Sequence, residues 1–222
     1  KPNDVYGYDV PLEDQIVRFN SGTQASMADN LPMDEASRMA RARDMGFDVD
    51  TPLYHGTGAD ITAFDPKDLT GKSTSHYLDI GIHGSESPEM PNIYAKYSQF
   101  PGANKGLSTG MKQGSPAVYP LMMKAEKPLD LRQGIPKEIK EDLKEFAFSN
   151  GVSRRSKFIK LMDVDPANLL GVIQRKAGRE ATQKFFADRG YDAIDYPWQG
   201  ASNRVVFDPK NIRSRFAKFD PI

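Results

Sequence analysis

Hydrophobic and polar positions alternate only over short stretches of this chain, and the period changes often. Leu53 and Tyr54 read as a short strand running into His55, after which Gly56, Thr57 and Gly58 leave the backbone nearly bare. Gly81-Ile82-His83 reads as a strand end feeding a helix, with Ser87 as N-cap and Pro88 at the first helical position. Residues 117–125 (AVYPLMMKA) form a further strand, in which Pro120 argues for an edge or a bulge. Residues 127–131 turn into another, and residues 190–194 and 203–209 are two closing strands. These bracket the stretch from Tyr196 to Ser202, whose Trp198, the single tryptophan, is assigned to the core.

Helical periods fill the intervals. Residues 137–150 place Ile139, Leu143, Phe146 and Ala147 on one face and end at Gly151. Asp165-Pro166 opens a helix carrying Leu169, Leu170, Val172 and Ile173, and residues 180–189 turn Phe185 and Phe186 inward before Gly190. Near the start, residues 32–45 form a short helix with Asp34 and Glu35 in its first turn and Gly46 as its stop. Ala36, Met39, Ala40 and Met45 give that helix a weakly apolar side expected to cover an edge of the core. Arg38, Arg41 and Arg43 lie opposite, as a solvated face or a phosphate contact. Residues 1–30 read as a polar arm with scattered apolar side chains. Residues 60–74 are a polar connection, and the cluster at Arg154, Arg155 and Lys157 is a solvated corner. Residues 100–116 have no period and are long for a structureless loop, which marks them as functional or disordered.

Short strands scattered among helices, with no regular βαβ repeat, argue for an α+β fold and against a doubly wound sheet. No Gly-x-Gly-x-x-Gly follows a strand and no Walker loop is present, so any dinucleotide is held in another way. At 222 residues the chain fits one domain with an appended arm, residues 1–48 preceding a body over 49–222. Thirty basic and thirty acidic residues leave no overall field toward nucleic acid or an anionic membrane. No apolar run approaches the roughly 18 residues that cross a bilayer. The start at Lys1 shows no basic-then-apolar leader and reads as a piece of a longer polypeptide. The absence of cysteine excludes disulfides, thiolate chemistry and cysteine-ligated zinc. The three histidines, His55, His76 and His83, include no helical His-x-x-x-His pair, and no metal site is assigned.

Candidate chemistry centres on the bare backbone beside His55. Gly56 accepts positive φ and lets a planar ligand approach the main chain. A site of this kind reads an amide through backbone N–H and C=O while an imidazole holds a hydroxyl. The other reading is a strand that ends in a glycine turn.

Three stretches in order carry a resemblance: Tyr54-His-Gly-Thr57, Gly81-Ile-His83 with Tyr94, and Ser202 to Asp208. Together they resemble the ADP-ribosyltransferases of the diphtheria-toxin and poly-ADP-ribose-polymerase type over residues 49–219. The likeness is greatest to small stand-alone or phage-embedded domains, where Met-Gly-Phe-Asp precedes the histidine strand and a Phe-Asp-Pro-Lys-Asn-Ile-Arg-Ser-Arg-Phe segment closes the chain. The resemblance implies two small, mainly antiparallel sheets with flanking helices and a central NAD+ cleft. It implies a mono-ADP-ribosyltransferase with NAD+ as substrate and no metal. The acceptor is a macromolecule, protein ahead of nucleic acid, met in a bacterial or host cytoplasm without a membrane partner. Residues 100–116 are then the loop that chooses the acceptor. A catalytically impaired NAD+-binding or partner-binding module on the same fold is the alternative.

The chemistry of that reaction divides the roles the resemblance implies. The bond joins a ribose carbon to a pyridinium that departs neutral, so no general acid is needed and the demand is to stabilise an oxocarbenium-like sugar. Gly56 pairs its backbone with the nicotinamide carboxamide, and His55 holds a ribose hydroxyl with Thr57 nearby. Tyr94 stacks on nicotinamide or is a core aromatic. His83 replaces the first tyrosine of the usual pair, and Ser85 supports a ribose or a phosphate. The family's catalytic glutamate falls at Asn203, and an amide supplies neither charge nor base. A unit charge about 4 Å from the developing cation contributes roughly 4 kcal/mol at an effective dielectric near 20. Asp195 on the neighbouring strand and Glu86 near the second motif are the other candidate carboxylates; otherwise the acceptor brings its own base or the site is disabled.

Overall fold

A computed structural model describes residues 31–59, 64, 78–97, 113–153, 165–198 and 200–220. The arm over residues 1–30, nearly all of the connection after the first strand, His76, most of the 100–116 loop and the Arg154–Lys157 cluster lie outside these residues. The described elements run, in chain order, α1 (Glu35–Asp44), β1 (Leu53–Ala59), β2 (Ile82–Ser85), α2 (Glu89–Tyr97), β3 (Gln113–Met123) and β4 (Pro128–Asp130). They continue as α3 (Lys137–Ser149), α4 (Pro166–Ala177), α5 (Arg179–Ala187), β5 (Ala193–Trp198), β6 (Ala201–Val206) and β7 (Ile212–Ser214).

The strands form one sheet in the order β4-β5-β6-β2-β1-β3-β7. Every neighbouring pair is antiparallel except β4 with β5. The α+β architecture expected of the chain is therefore the one observed. Its two halves, β4-β5-β6-β2 and β1-β3-β7, meet at a single paired position, Tyr54 opposite Ser85. The expected split is thus a sheet nearly parted along one line.

The closing strands lie closer together in sequence than the hydrophobic pattern indicates, at 193–198 and 201–206 instead of 190–194 and 203–209, because β5 and β6 make a hairpin. Trp198 pairs with Ala201, and Gly200 takes φ +81° in the connection, a conformation glycine adopts without strain. From there the register runs without slippage to Ala193 opposite Val206. Strand β3 is interior rather than the edge that Pro120 suggested. It pairs with β1 from Leu121 to Ala117 and, after a register shift between Thr57 and Ala59, at Gln113; Pro120 lies just past the end of β7, where its carbonyl accepts from the Arg215 N–H at 2.9 Å. A missing N–H costs no ladder bond at that position.

Helices α3, α4 and α5 bury Leu143, Leu169, Leu170, Ile173 and Phe186 against Ile194, Tyr196 and Val205 on one face of the sheet. Asp165 caps α4 by accepting from the Asn168 N–H, with Pro166 in the first turn. Leu53, Ile82, Leu121, Met123 and Val206 cluster on the opposite face.

Helix α1 packs by only part of the face its composition indicates: Met39 and Met45 lie against the cluster of Phe47, Met122 and Phe219. Ala36 and Ala40 are exposed, and Arg38 and Ala42 are buried. Arg38 donates from Nε to the Met33 carbonyl and from Nη1 to the Arg215 carbonyl, at 3.0 and 2.5 Å. Arg41 donates from Nε and Nη2 to the Lys218 carbonyl, at 2.9 and 2.7 Å. Both guanidinium groups are thus neither solvated nor placed for a phosphate; they tie the helix to the last turn of the chain. Phe47, Met122, Ala217 and Phe219 close the apolar side of this junction, with the Phe47 and Phe219 rings edge to face at 5.4 Å. Replacing Arg38 by Ala strands buried carbonyls and is expected to cost about 2–3 kcal/mol, read from the urea midpoint at constant m-value. An unchanged midpoint refutes the clamp.

Candidate active site

The parting of β1 from β2 creates an acceptor without a strand partner. Beyond Tyr54 and Ser85 the ladder stops, and the His83 carbonyl is satisfied by the His55 ring, with Nδ1 to O at 2.8 Å. A carbonyl only accepts, so Nδ1 carries the hydrogen and Nε2, on the far edge of the ring, keeps its lone pair. Burial lowers the His55 pKa against the smaller opposing effect of this bond, so the ring is neutral at physiological pH. Phe64 meets it edge to face at 5.3 Å.

Strand register builds the rest. Tyr196, Asn203, Ser85 and Tyr54 stand directly opposite one another on β5, β6, β2 and β1, so their side chains share one face of the sheet. His83, two residues before Ser85, lies on that face as well. Asn203 is buried and donates from Nδ2 to the Ala201 carbonyl at 3.1 Å, which leaves its carbonyl oxygen as an acceptor. Ser85 is buried, its hydroxyl taking a long 3.4 Å bond from the Ser87 N–H. The His83 Nδ1 lies 2.9 Å from the Tyr196 hydroxyl, with the two rings perpendicular. Burial, with a smaller effect from His55, pushes the His83 pKa down to about 4 although Asp79 pulls it up. The Tyr196 phenol is pushed well above its ordinary value by burial and by the nearby Tyr94, and stays protonated.

Helix α2 completes the arrangement. A side chain on Gly56 would put its Cβ 1.7 Å from the Pro91 carbonyl oxygen, so glycine is what allows α2 to lie against β1. That packing carries Tyr94, 48% exposed, toward Tyr196. The segment entering β2 is pinned from the other side. Arg179 donates from Nε to the Asp79 carbonyl at 2.7 Å and pairs with the Asp79 carboxylate, while Gln183 reaches the Ile80 carbonyl at 3.0 Å.

The predicted residues thus separate into groups. His83, Ser85 and Asn203 share the face of the row, whereas His55 and Thr57 alternate to the other side of β1 from Tyr54, and His55 reaches the His83 carbonyl across the gap. Asp195 stands on the opposite face, paired across the hairpin with Arg204, whose Nε and Nη2 lie 2.7 and 2.8 Å from its two oxygens. Its carboxylate is committed to that guanidinium and turned away from Asn203. Glu86 is exposed at the rim, its N–H extending the β2–β6 ladder to the Ser202 carbonyl at 3.0 Å. Tyr196 and Tyr54 are members that sequence reasoning missed. The signal for Tyr196 was the glycine in Trp-Gln-Gly-Ala: a two-residue hairpin connection there sets Tyr196 opposite Asn203. Among the described residues no group of three His, Cys, Asp or Glu side chains is arranged to hold a metal ion, and no helix is long and apolar enough to cross a membrane.

Residues 50–218 match the family described as ADP-ribosyltransferase in polyvalent proteins, and the chain belongs to that family. No curated protein and no solved structure matches the chain. The domain is an ADP-ribosyltransferase domain, a class whose co-substrate is NAD+.

The two imidazoles give the fold a pH dependence of definite sign. Unfolded histidine titrates near 6.5, so below that value the unfolded chain takes up protons that folded His83 and His55 refuse. Stability is complete above about pH 6.5 and declines as pH falls toward 4. His83 alone is expected to remove about 2 kcal/mol between pH 7.5 and pH 5, and His83→Gln to flatten that part of the curve. Urea midpoints of both proteins at the two pH values are the check.

Proposed function

We propose that this domain transfers single ADP-ribose units from NAD+ to a macromolecular acceptor, protein rather than nucleic acid, and releases nicotinamide. The observation that carries the reading is the row Tyr196–Asn203–Ser85–Tyr54 at the parting of the sheet, with the His55 imidazole bonded across the gap to the His83 carbonyl. His55 is a neutral acceptor for a ribose hydroxyl, fixed in its tautomer by the His83 carbonyl. The Gly56 main chain serves the carboxamide, and Thr57 lies next to it. Tyr94 and His83 bound the nicotinamide ring, and Ser85 holds a ribose or phosphate oxygen. Asn203 orients a ribose hydroxyl through its amide. The balance of thirty acidic and thirty basic residues favours a protein acceptor, since a nucleic acid would call for a basic field. The likeness to phage-borne and bacterial effector domains favours an acceptor met in a bacterial or host cytoplasm.

Departure of a neutral leaving group makes positioning and charge stabilisation the whole task. Glu86, next to Ser85 along the chain and exposed, is the carboxylate beside this row that no arginine among the described residues holds in the way Arg204 holds Asp195, and an acceptor carrying its own base is the other source of charge. The second reading, a module that binds NAD+ with little turnover, is favoured by the same geometry: the row ends in an amide, and Asp195 is held by Arg204.

Calorimetry with NAD+ and nicotinamide release in the presence of host lysate test the two readings together. Binding with transfer supports the first, and binding without release the second. His55→Ala is expected to weaken NAD+ at least tenfold. Asn203→Glu is expected to raise nicotinamide release, by up to about a thousandfold if the carboxylate lies about 4 Å from the anomeric carbon. No increase would mean that residue 203 does not face the reacting carbon.

A further inference from the structure

We infer that Tyr196 is a positioning residue for the donor: its hydroxyl holds the His83 imidazole as a fixed, uncharged ring that bounds the nicotinamide end of NAD+. The inference rests on the reading of this row as an NAD+ site, and it gives Tyr196, a member of the row, a role that reading leaves unassigned. The Tyr196 hydroxyl and His83 Nδ1 are 2.9 Å apart, while the ring centroids are 6.2 Å apart and the planes perpendicular. The link is the hydrogen bond rather than ring packing, and it is made at the edge of the imidazole. The phenol keeps its proton and can donate it to the imidazole when Nδ1 is the bare nitrogen.

Tyr196 itself has little freedom. Its ring is buried in the main core with Ile194 and Val205, and its backbone is held in the hairpin opposite Asn203. An anchor of that kind transmits a fixed orientation to whatever its hydroxyl binds. The imidazole, by contrast, is only half-buried at the line of parting and rotates about its last side-chain bond unless held there. Once its edge is engaged, His83 offers a ring face and not a base. Tyr196 thus makes an imidazole serve where the family resemblance implies a tyrosine.

A double-mutant cycle on the full chain tests this, with the NAD+ dissociation constant and the kcat and KM of nicotinamide release as readouts. Tyr196→Phe is expected to raise the dissociation constant and KM about tenfold with a smaller change in kcat. His83→Phe removes the nitrogen to be held, so adding Tyr196→Phe to it is expected to change binding less than threefold. An equal loss in both backgrounds, or a Tyr196→Phe protein that binds within twofold of the wild type, overturns the inference. Ring ¹⁵N shifts of His83 in the free wild-type protein give a readout independent of the ligand and of any variant. A single fixed tautomer is expected, and an averaged one overturns the inference whatever NAD+ does. Failure of the wild type to bind millimolar NAD+ while showing that fixed tautomer overturns the donor-site reading and, with it, the positioning role.

Discussion

The site depends on one hydrogen bond, from His55 Nδ1–H to the His83 carbonyl. Two strands that part after a single paired position leave main-chain groups facing a gap, and a buried carbonyl without a donor costs about 1–3 kcal/mol. Answering it with a side chain instead of a third strand lets the gap persist. The same bond selects the tautomer, so the nitrogen left open is an acceptor of known character. Structure and chemistry share one contact here, and the surrounding elements serve to keep it in place. Gly56 lets α2 close over β1, and Arg179 and Gln183 hold the approach to β2.

Electrostatically the row is neutral. Burial keeps both histidines uncharged and the Tyr196 phenol protonated, and residue 203 is an amide. The nearest buried carboxylate, Asp195, is neutralised by Arg204 on the other face of the hairpin. A cation placed beside this row would meet oriented dipoles rather than an opposite charge. The closeness of Asn203 to Ser85 and Tyr196 means that restoring a carboxylate there would act on the row directly.

The junction between α1 and the C-terminal segment shows how a polar helix is held without a hydrophobic stripe. Two arginines deliver their guanidinium groups to main-chain carbonyls at Arg215 and Lys218, where strand pairing has ended. Such charge-assisted bonds each contribute about 1.5–3 kcal/mol, which is comparable to burying an aliphatic side chain. Residue composition labelled that face polar and exposed; its partners were carbonyls some 177 positions away.

Local features were legible from the chain alone. The helical periods over α3, α4 and α5, the cap at Asp165, and the strand around His55 follow from residue type and spacing, because neighbours in sequence are neighbours in those elements. The three motifs that carry the family resemblance are legible for the same reason. Tertiary pairing decided the rest. A side-chain period of two means that only the register of β5 on β6 tells whether Asp195 or Tyr196 faces the row, and a one-residue difference exchanges them. The interior place of β3, the burial of Arg38 and the bond between His55 and His83 all depend on contacts between distant segments. No local pattern records which carbonyl will be left without a partner when two strands part.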